Sequence, residues 1–322
     1  MKLRVFFSLL GSGIVCLGLA AVGEATVPRA FVSINGSDTN PCSATLPCRS
    51  FNQGLAVVQS GGEIVVQDSG GYSTGFTITQ SVTIDAAGFN ASVISIGSGD
   101  LCTISAGASD RVVLRGISFH GASVGTNAIN ATQVGSLYVE HCSIAEFGGS
   151  GVLMANGGNL FVTNSDVRSC GLGLKVGASG ATNAGLVAQD SRFSECNLTF
   201  ASAAVVVASS GSGTATGSLS NCTASSSFEG FVAISSGGAD AKLNLTNCRA
   251  FGNGVGVFAS NTSSGSAGIS MTGCVVTKNG TGIQTFSAAG GGSATVIGTG
   301  PGTNLIAGNS TDGTAFGSVT LQ

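Results

Sequence analysis

Short runs of alternating apolar and polar residues, each closed by Gly, Asn or Asp, recur along most of this chain. In residues 241–259, Leu243 and Leu245 alternate with polar neighbours and Asn247 ends the run. Cys248 and Ala250 open a second run, Gly252-Asn253-Gly254 turns the chain, and Val255 and Val257 begin a third. Alternation of this kind predicts strands with one buried face. Cys248 lies 26 residues after Cys222 and 26 before Cys274, and equivalent positions fall at Ser191, Ser165, Cys142 and Ile117. Three short strands per repeat, at a period in the mid-twenties, predict an all-β solenoid of parallel strands.

The apolar residue before each bend phases the coils at Ile84, Leu114, Val139, Val162, Ala188, Leu219, Leu245 and Met271. With a first coil near Ile64 and a last near Val296, about nine or ten coils follow, and stacking at about 4.8 Å gives a rod on the order of 45 Å long. Loops of Gly, Ser, Ala and Asn, such as 209–217, 235–241 and 260–267, absorb the variation in repeat length, and 304–313 is expected to cover the last coil. Ser50 to Gln59 is the one predicted helix. Ser50 is placed to cap it, Phe51, Leu55 and Val58 are at helical spacing, and Ser60-Gly61-Gly62 ends it. Such a helix would close the open end of the first coil.

The chain therefore divides into residues 1–25, a lead-in with capping helix at 26–62, and the solenoid at 63–322. Lys2 and Arg4, the apolar run Val5 to Val22 and the small residues around Ala25 predict a secretory signal. Its run is broken by Ser8, Gly11, Ser12, Gly13 and Gly18, which favours removal over anchoring, with no membrane span left after removal. A secreted or periplasmic location follows. There Cys42 and Cys48, six residues apart and flanked by Pro41 and Pro47, predict a local disulfide. Charged residues make up only 8% of the chain and the net charge is -3, which excludes an electrostatic footprint for nucleic acid.

Residues in equivalent positions of successive coils stack into columns. Asp85, Arg115 and Glu140 fall in one column and alternate in sign, so an ion ladder is expected. The same trio is the best catalytic candidate of the lyase or esterase kind. The column after it runs Ala86, Gly116, His141, Asn164, Asp190, Asn221, Asn247, Gly273, residue types suited to a left-handed bend, which gives His141 a structural role. The Cys142, Cys222, Cys248 and Cys274 column is expected to hold inward, reduced thiols, because parallel side chains on neighbouring coils are poorly placed for a disulfide. Ile234, Phe258 and Phe286, with Lys175, are expected to form an outward stripe able to stack on sugar rings.

The Asn-Cys-x-apolar phrase followed by Asn-Gly-x-Gly-Val (residues 247–250 and 253–257) resembles the coil of right-handed parallel β-helix proteins of the pectin-lyase-like superfamily. The opening segments Gly36-Ser37-Asp38, Asn40-Pro41-Cys42, Pro47-Cys48-Arg49, Gly61-Gly62-Glu63 and Gly70-Gly71-Tyr72 resemble an exported bacterial group of that class. The resemblance covers residues 31–322. It implies an asparagine ladder in the bend column and a polysaccharide or cell-envelope partner. It does not imply activity: the Asn-Thr-Asp, Asp-Asp, Gly-His-Gly and Arg-Ile-Lys motifs of polygalacturonase-like members are missing, and Phe119-His120-Gly121 is the nearest fragment. No carboxylate cluster suited to calcium and no zinc spacing appears, so neither metal nor cofactor is expected. The expected function is non-catalytic glycan binding or surface presentation. A divergent polysaccharide lyase, esterase or epimerase is the first alternative and an inert envelope rod the second.

Overall fold

The computed structural model describes residues 26–197, 202–289, 291–299, 304–313 and 317–319. The expected signal at 1–25 lies outside them. Among the described residues, parallel strands form a 12-stranded sheet and an 18-stranded sheet, wound through roughly nine to ten turns. The 18-stranded sheet holds two ladders: a narrow one of short strands such as Arg192–Ser194, Thr223–Ser225 and Arg249–Phe251, and a longer one that includes Ala203–Ser209, Glu229–Ser235 and Val255–Asn261. Each turn thus contributes three faces.

The predicted phasing holds at every position. Ile64, Ile84, Leu114, Val139, Val162, Ala188, Leu219, Leu245 and Met271 are consecutive register partners. Each is at most 2% exposed. An inward row of this kind arises because alternate residues of a strand share one face, and burying each Ile, Leu, Val or Met of the row contributes about 1.5–3 kcal/mol, with Ala188 contributing less.

From His141 to Lys278, two left-handed bends five residues apart bracket each segment of the narrow ladder. The first is the predicted column: Gly116, His141, Asn164, Asp190, Asn221, Asn247 and Gly273 have φ of 48–70°. Ala86 is the exception, with no positive φ. The second bend, anticipated from sequence only as the Gly turn that opens at Gly252, holds Glu146, Ser169, Glu195, Ser226, Gly252, Lys278 and Gly308 at φ of 52–71°. A left-handed conformation is unfavourable for residues with a Cβ. Here the closure of the coil and its backbone hydrogen bonds offset that cost.

The asparagine ladder also differs from expectation. In the bend column only Asn221 Nδ2 to Asp190 Oδ1 (3.0 Å) links side chains between coils. The buried ladder lies at the Gly turn instead: Asn253 Nδ2 donates to Asn279 Oδ1 (3.0 Å), and Asn279 Nδ2 to Asn309 Oδ1 (2.9 Å). Ser227 extends it backward, its N–H donating to Asn253 Oδ1 (3.0 Å). At the Gly turn the amide faces inward and meets orphaned backbone groups, whereas the bend column faces solvent.

The helix spans Phe51–Val57, shorter than predicted, because Val58 is already extended and begins a strand to Val66. Ser50 Oγ accepts from the N–H of Gln53 (3.2 Å), as an N-cap should. The inward face is Phe51, Gly54 and Val57, and the Phe51 ring centroid lies 5.3 Å from that of Tyr72 and 5.4 Å from that of Phe76. Upstream of it, Val27–Val32 is the edge strand of the 12-stranded sheet. The Cys42–Cys48 disulfide holds a loop against that edge, with the Phe31 N–H donating to Cys42 O and the Cys48 N–H to Phe31 O. This occupies backbone groups that would otherwise pair with another chain.

At the other end, residues 304–313 continue the winding and do not cap it. Leu305–Ile306 and Thr311–Gly313 pair with Val275–Thr277 and Thr281–Ser287. The seven remaining described cysteines are free and buried. The thiols of Cys142, Cys248 and Cys274 donate to the carbonyls of Leu114, Leu219 and Leu245 at 3.4–3.5 Å. Burial pushes the Cys142 thiol up to about 12, so it stays protonated.

Candidate functional site

Asp85, Arg115 and Glu140 meet as predicted, each ending its strand just before the first bend. Arg115 donates from Nε to Glu140 Oε2 (2.8 Å) and from Nη1 to Asp85 Oδ2 (2.9 Å). The hydrogen bond to Glu140, followed by that to Asp85, raises the guanidinium pKa further. Chemically the trio is a closed ion clamp. Its arginine is bound on two sides and holds its proton more tightly than usual, and both carboxylates are engaged.

The expected outward stripe is split by the register. Strands pair from their common first residues Glu229, Val255 and Thr281, so Phe258 stacks between Val232 and Gln284, in one row with Lys175 and Val206. Ile234 and Phe286 lie in the next row, on either side of Ser260. The register keeps the 26-residue step of the cysteine column, from which Ile234 and Phe286 depart by two residues relative to Phe258. The stripe is also not open along its length. Val206 and Val232 face outward yet are 5% and 0% exposed, and they form a second apolar cluster with Ala203, against which Ile234 and Phe258 pack. Phe286 is half exposed.

Glu229 stands beside this cluster, paired in register with Ala203 and Val255. It has no ion pair or side-chain hydrogen bond among the described residues, and desolvation pushes its carboxyl up to about 7 from an ordinary 4.5. A carboxyl raised on folding binds more protons in the folded state. Stability is therefore greatest below the unfolded value and falls as pH rises through about 7. Urea midpoints should drop between pH 4.5 and pH 8, and Glu229→Gln should flatten the profile and stabilise the protein at pH 8 by about 1–2 kcal/mol, after allowance for partial exposure. An unchanged pH profile in Glu229→Gln would show that another group causes the decline.

The largest concentration of unengaged polar chemistry lies on the narrow ladder. Its short segments, which are the opening residues of Ser143–Met154 and Asp166–Ala178 and the strands Arg192–Ser194, Thr223–Ser225 and Arg249–Phe251, point their second residue inward (Ile144, Val167, Phe193, Ala224, Ala250) and their first and third outward. One outward column reads Ser118, Ser143, Asp166, Arg192, Thr223, Arg249, and the other His120, Ala145, Arg168, Ser194, Ser225, Phe251. Small hydroxyl residues form the floor, Ser118, Ser143, Ser165, Ser191 and Thr223, whereas Ser194 and Ser225 of the second column are buried and take no part in it. The first-bend residues His141, Asn164, Asp190 and Asn221 form one wall. The result is a trough parallel to the axis, with a segment of about 540 Å³ next to one of about 420 Å³ around His120 and Arg168.

Within the trough, Arg168 Nη1 contacts Asp166 Oδ2 (2.6 Å) and Ser169 Oγ donates to Glu195 Oε2 (2.7 Å). His120 Nε2 lies 3.6 Å from Glu146 Oε2, while its Nδ1 accepts from the Ala122 N–H (3.2 Å), so neutral His120 carries its proton on Nε2. Arg192 and Arg249 form no ion pair among the described residues. Sequence reasoning stopped one column short of this surface: its outward positions are the first and third after the Cys142–Cys274 column, a spacing legible in the repeat. Among the described residues no group of three or more His, Cys, Asp or Glu converges to hold a metal, and no helix is long and apolar enough to cross a membrane.

The family model described as "Right handed beta helix region" matches residues 63–245. The chain belongs to this right-handed β-helix family. A search of the curated proteins finds no match. Among solved structures, this β-helix is similar to pectate lyase Pel9A, with 14% identity and a TM-score of 0.50 over 92% of this chain and 80% of the other. It is also similar to the A-module of the Azotobacter vinelandii mannuronan C-5 epimerase AlgE4, with 14% identity and a TM-score of 0.51 over 81% of this chain and 91% of the other. At this identity the likeness shows a shared β-helix fold.

Proposed function

We propose that this β-helix binds an acidic glycan segment along the narrow-ladder trough and holds it without cleaving it. The observation that carries the reading is the trough itself: several coils long, floored by small hydroxyl side chains, with Arg192 in it and Arg249 one coil beyond its end, neither in an ion pair among the described residues. A pyranose repeat is comparable in length to one coil step, so successive sugars along the axis meet successive coils. Solved proteins of the same fold are named for pectate and mannuronan. The Cys42–Cys48 disulfide supports an exported location. The clamp at Asp85, Arg115 and Glu140 supports a structural role for that trio.

A lyase, esterase or epimerase is the second reading, favoured by the shared fold and by the His120–Glu146 pair at one end of the trough. Affinity electrophoresis through polygalacturonate and through alginate, with absorbance of new unsaturated ends followed in parallel, separates the two. Binding is expected, weakened by salt, and reduced about tenfold in Arg192→Ala/Arg249→Ala, equivalent to about 1.4 kcal/mol. Absorbance should stay flat. Retardation equal in wild type and double variant would remove the trough from the reading, and new unsaturated ends would replace binding with catalysis.

A further inference from the structure

The outer face of the 12-stranded sheet carries a ring stack that ends in an open slot. By register its central outward row runs Thr83, Val113, Tyr138, Phe161, Val187, Ser218, Asn244. The Arg111 guanidinium, on the strand before Tyr138, lies 4.3 Å from that ring's centroid. Phe161, on the strand after, stacks on Tyr138 at 4.5 Å with an interplanar angle of 8°. One face of Tyr138 is therefore covered by Arg111, which reaches in from the neighbouring row, and the other by Phe161. Beyond Phe161 the row drops to the smaller Val187 and Ser218, leaving a slot of about 270 Å³ that Phe161, Val187, Thr216, Ser218 and Asn244 line.

The rest of the slot is built from small and uncharged groups. Gly185 lies under the Asn159 amide, and a Cβ there would stand 2.5 Å from Asn159 Oδ1, so only glycine leaves that amide its place. The side chains of Asn159, Thr216 and Ser218 make no hydrogen bond among the described residues, so their donors and acceptors are unspent on protein. Lys242, the register neighbour of Thr216, is tied to Asp240 (2.8 Å), and Arg111 is at the far end of the stack. No unpaired charge lines the slot.

We infer that this slot is a second saccharide site, which takes one pyranose ring of a neutral glycan as the next plate in the Arg111–Tyr138–Phe161 stack. An apolar sugar face meets the free face of Phe161, and the ring hydroxyls meet Asn159, Thr216 and Ser218. Neutrality follows from the rim: an acidic sugar would lose hydration there without gaining a cation. The site lies on a different sheet from the trough and does not depend on it.

The chain has no Trp and two Tyr, so tyrosine emission reports on Tyr138 once Tyr72 is replaced by Phe. In a Tyr72→Phe background, titration with cellohexaose, mannohexaose, xylohexaose and maltohexaose at up to millimolar concentration should give a saturable change with at least one. Phe161→Leu keeps an apolar side chain and removes the flat face, and should weaken binding about tenfold with the circular dichroism spectrum unchanged. Arg192→Ala should leave this titration unaltered, which separates the slot from the trough. No response to any of the four sugars, or equal affinity in Phe161→Leu, overturns the inference. So does a dimer in sedimentation that Phe161→Leu dissociates and the sugars leave intact, because the face would then belong to a second copy of the chain.

Discussion

Asn279→Ala is expected to destabilise the protein by about 4 kcal/mol, from orphaned buried donors and acceptors at about 1–3 kcal/mol each. Asn279 is 2% exposed. Its Oδ1 accepts from the backbone N–H and from the side-chain Nδ2 of Asn253, both at 3.0 Å, and its Nδ2 donates to Ala250 O (3.0 Å) and Asn309 Oδ1 (2.9 Å). Alanine removes every one of these partners in the middle of the ladder. Asn253, itself 3% exposed, has no solvent to turn to. The exposed Asn244→Ala should change stability by less than about 0.5 kcal/mol. Urea unfolding at matched slopes measures both. A loss below about 1 kcal/mol in Asn279→Ala would mean that water replaces the amide, and the ladder would not be a principal brace of the coils.

Gly230→Ala should cost about 3 kcal/mol or more, at the upper end of overpacking effects. A Cβ on Gly230 would stand 2.3 Å from the carbonyl oxygen of Gly256 in the next coil and 3.2 Å from Asn253 Nδ2. The first of these is backbone, held by the stacking of coils, so relief requires the whole turn to move. Gly256 meets the same constraint one coil on, 2.7 Å from Gly282 O. Gly238 is the control: the nearest atom to its Cβ is Ser264 Oγ at 3.8 Å, and Gly238→Ala should be neutral within about 0.5 kcal/mol. Thermal midpoints of the two variants test the contrast. Equal midpoints would show that coil spacing is softer than the close approach implies.

The coil phase was fully legible in the sequence, because the inward residues Ile84 through Met271 are apolar, regularly spaced and followed by bend formers. The first left-handed bend was legible for the same reason: Asn, Asp, Gly and His share a tolerance for that backbone. The second was legible only where glycine marks it, in the turn at Gly252. Glu146, Glu195 and Lys278 have no such preference, and only the fixed distance of five residues from the first bend marks them. Asn253 and Asn279 sit in Gly-Asn-Gly and Lys-Asn-Gly, which read as surface turns, and sequence alone does not say whether a turn amide points out to water or in to a carbonyl. Of the candidate sites, the Arg115 clamp was legible because charges alternating down a column leave little choice of partner. The row containing Phe258 was also legible, since the 26-residue step carries Phe258 to Val232 and Gln284; matching it to Ile234 and Phe286 followed residue type and departed from that step by two residues.

The paired left-handed bends reach beyond folding. They fix the entry and exit of the narrow-ladder strands Arg192–Ser194, Thr223–Ser225, Arg249–Phe251 and Val275–Thr277 by backbone conformation, while the outward first and third residues take no part in that geometry. Arg192, Thr223 and Arg249 can succeed one another down a single column for this reason. The narrow face thus works like a row of sockets at constant pitch, in which chemistry can be exchanged one coil at a time while the frame that holds it stays the same.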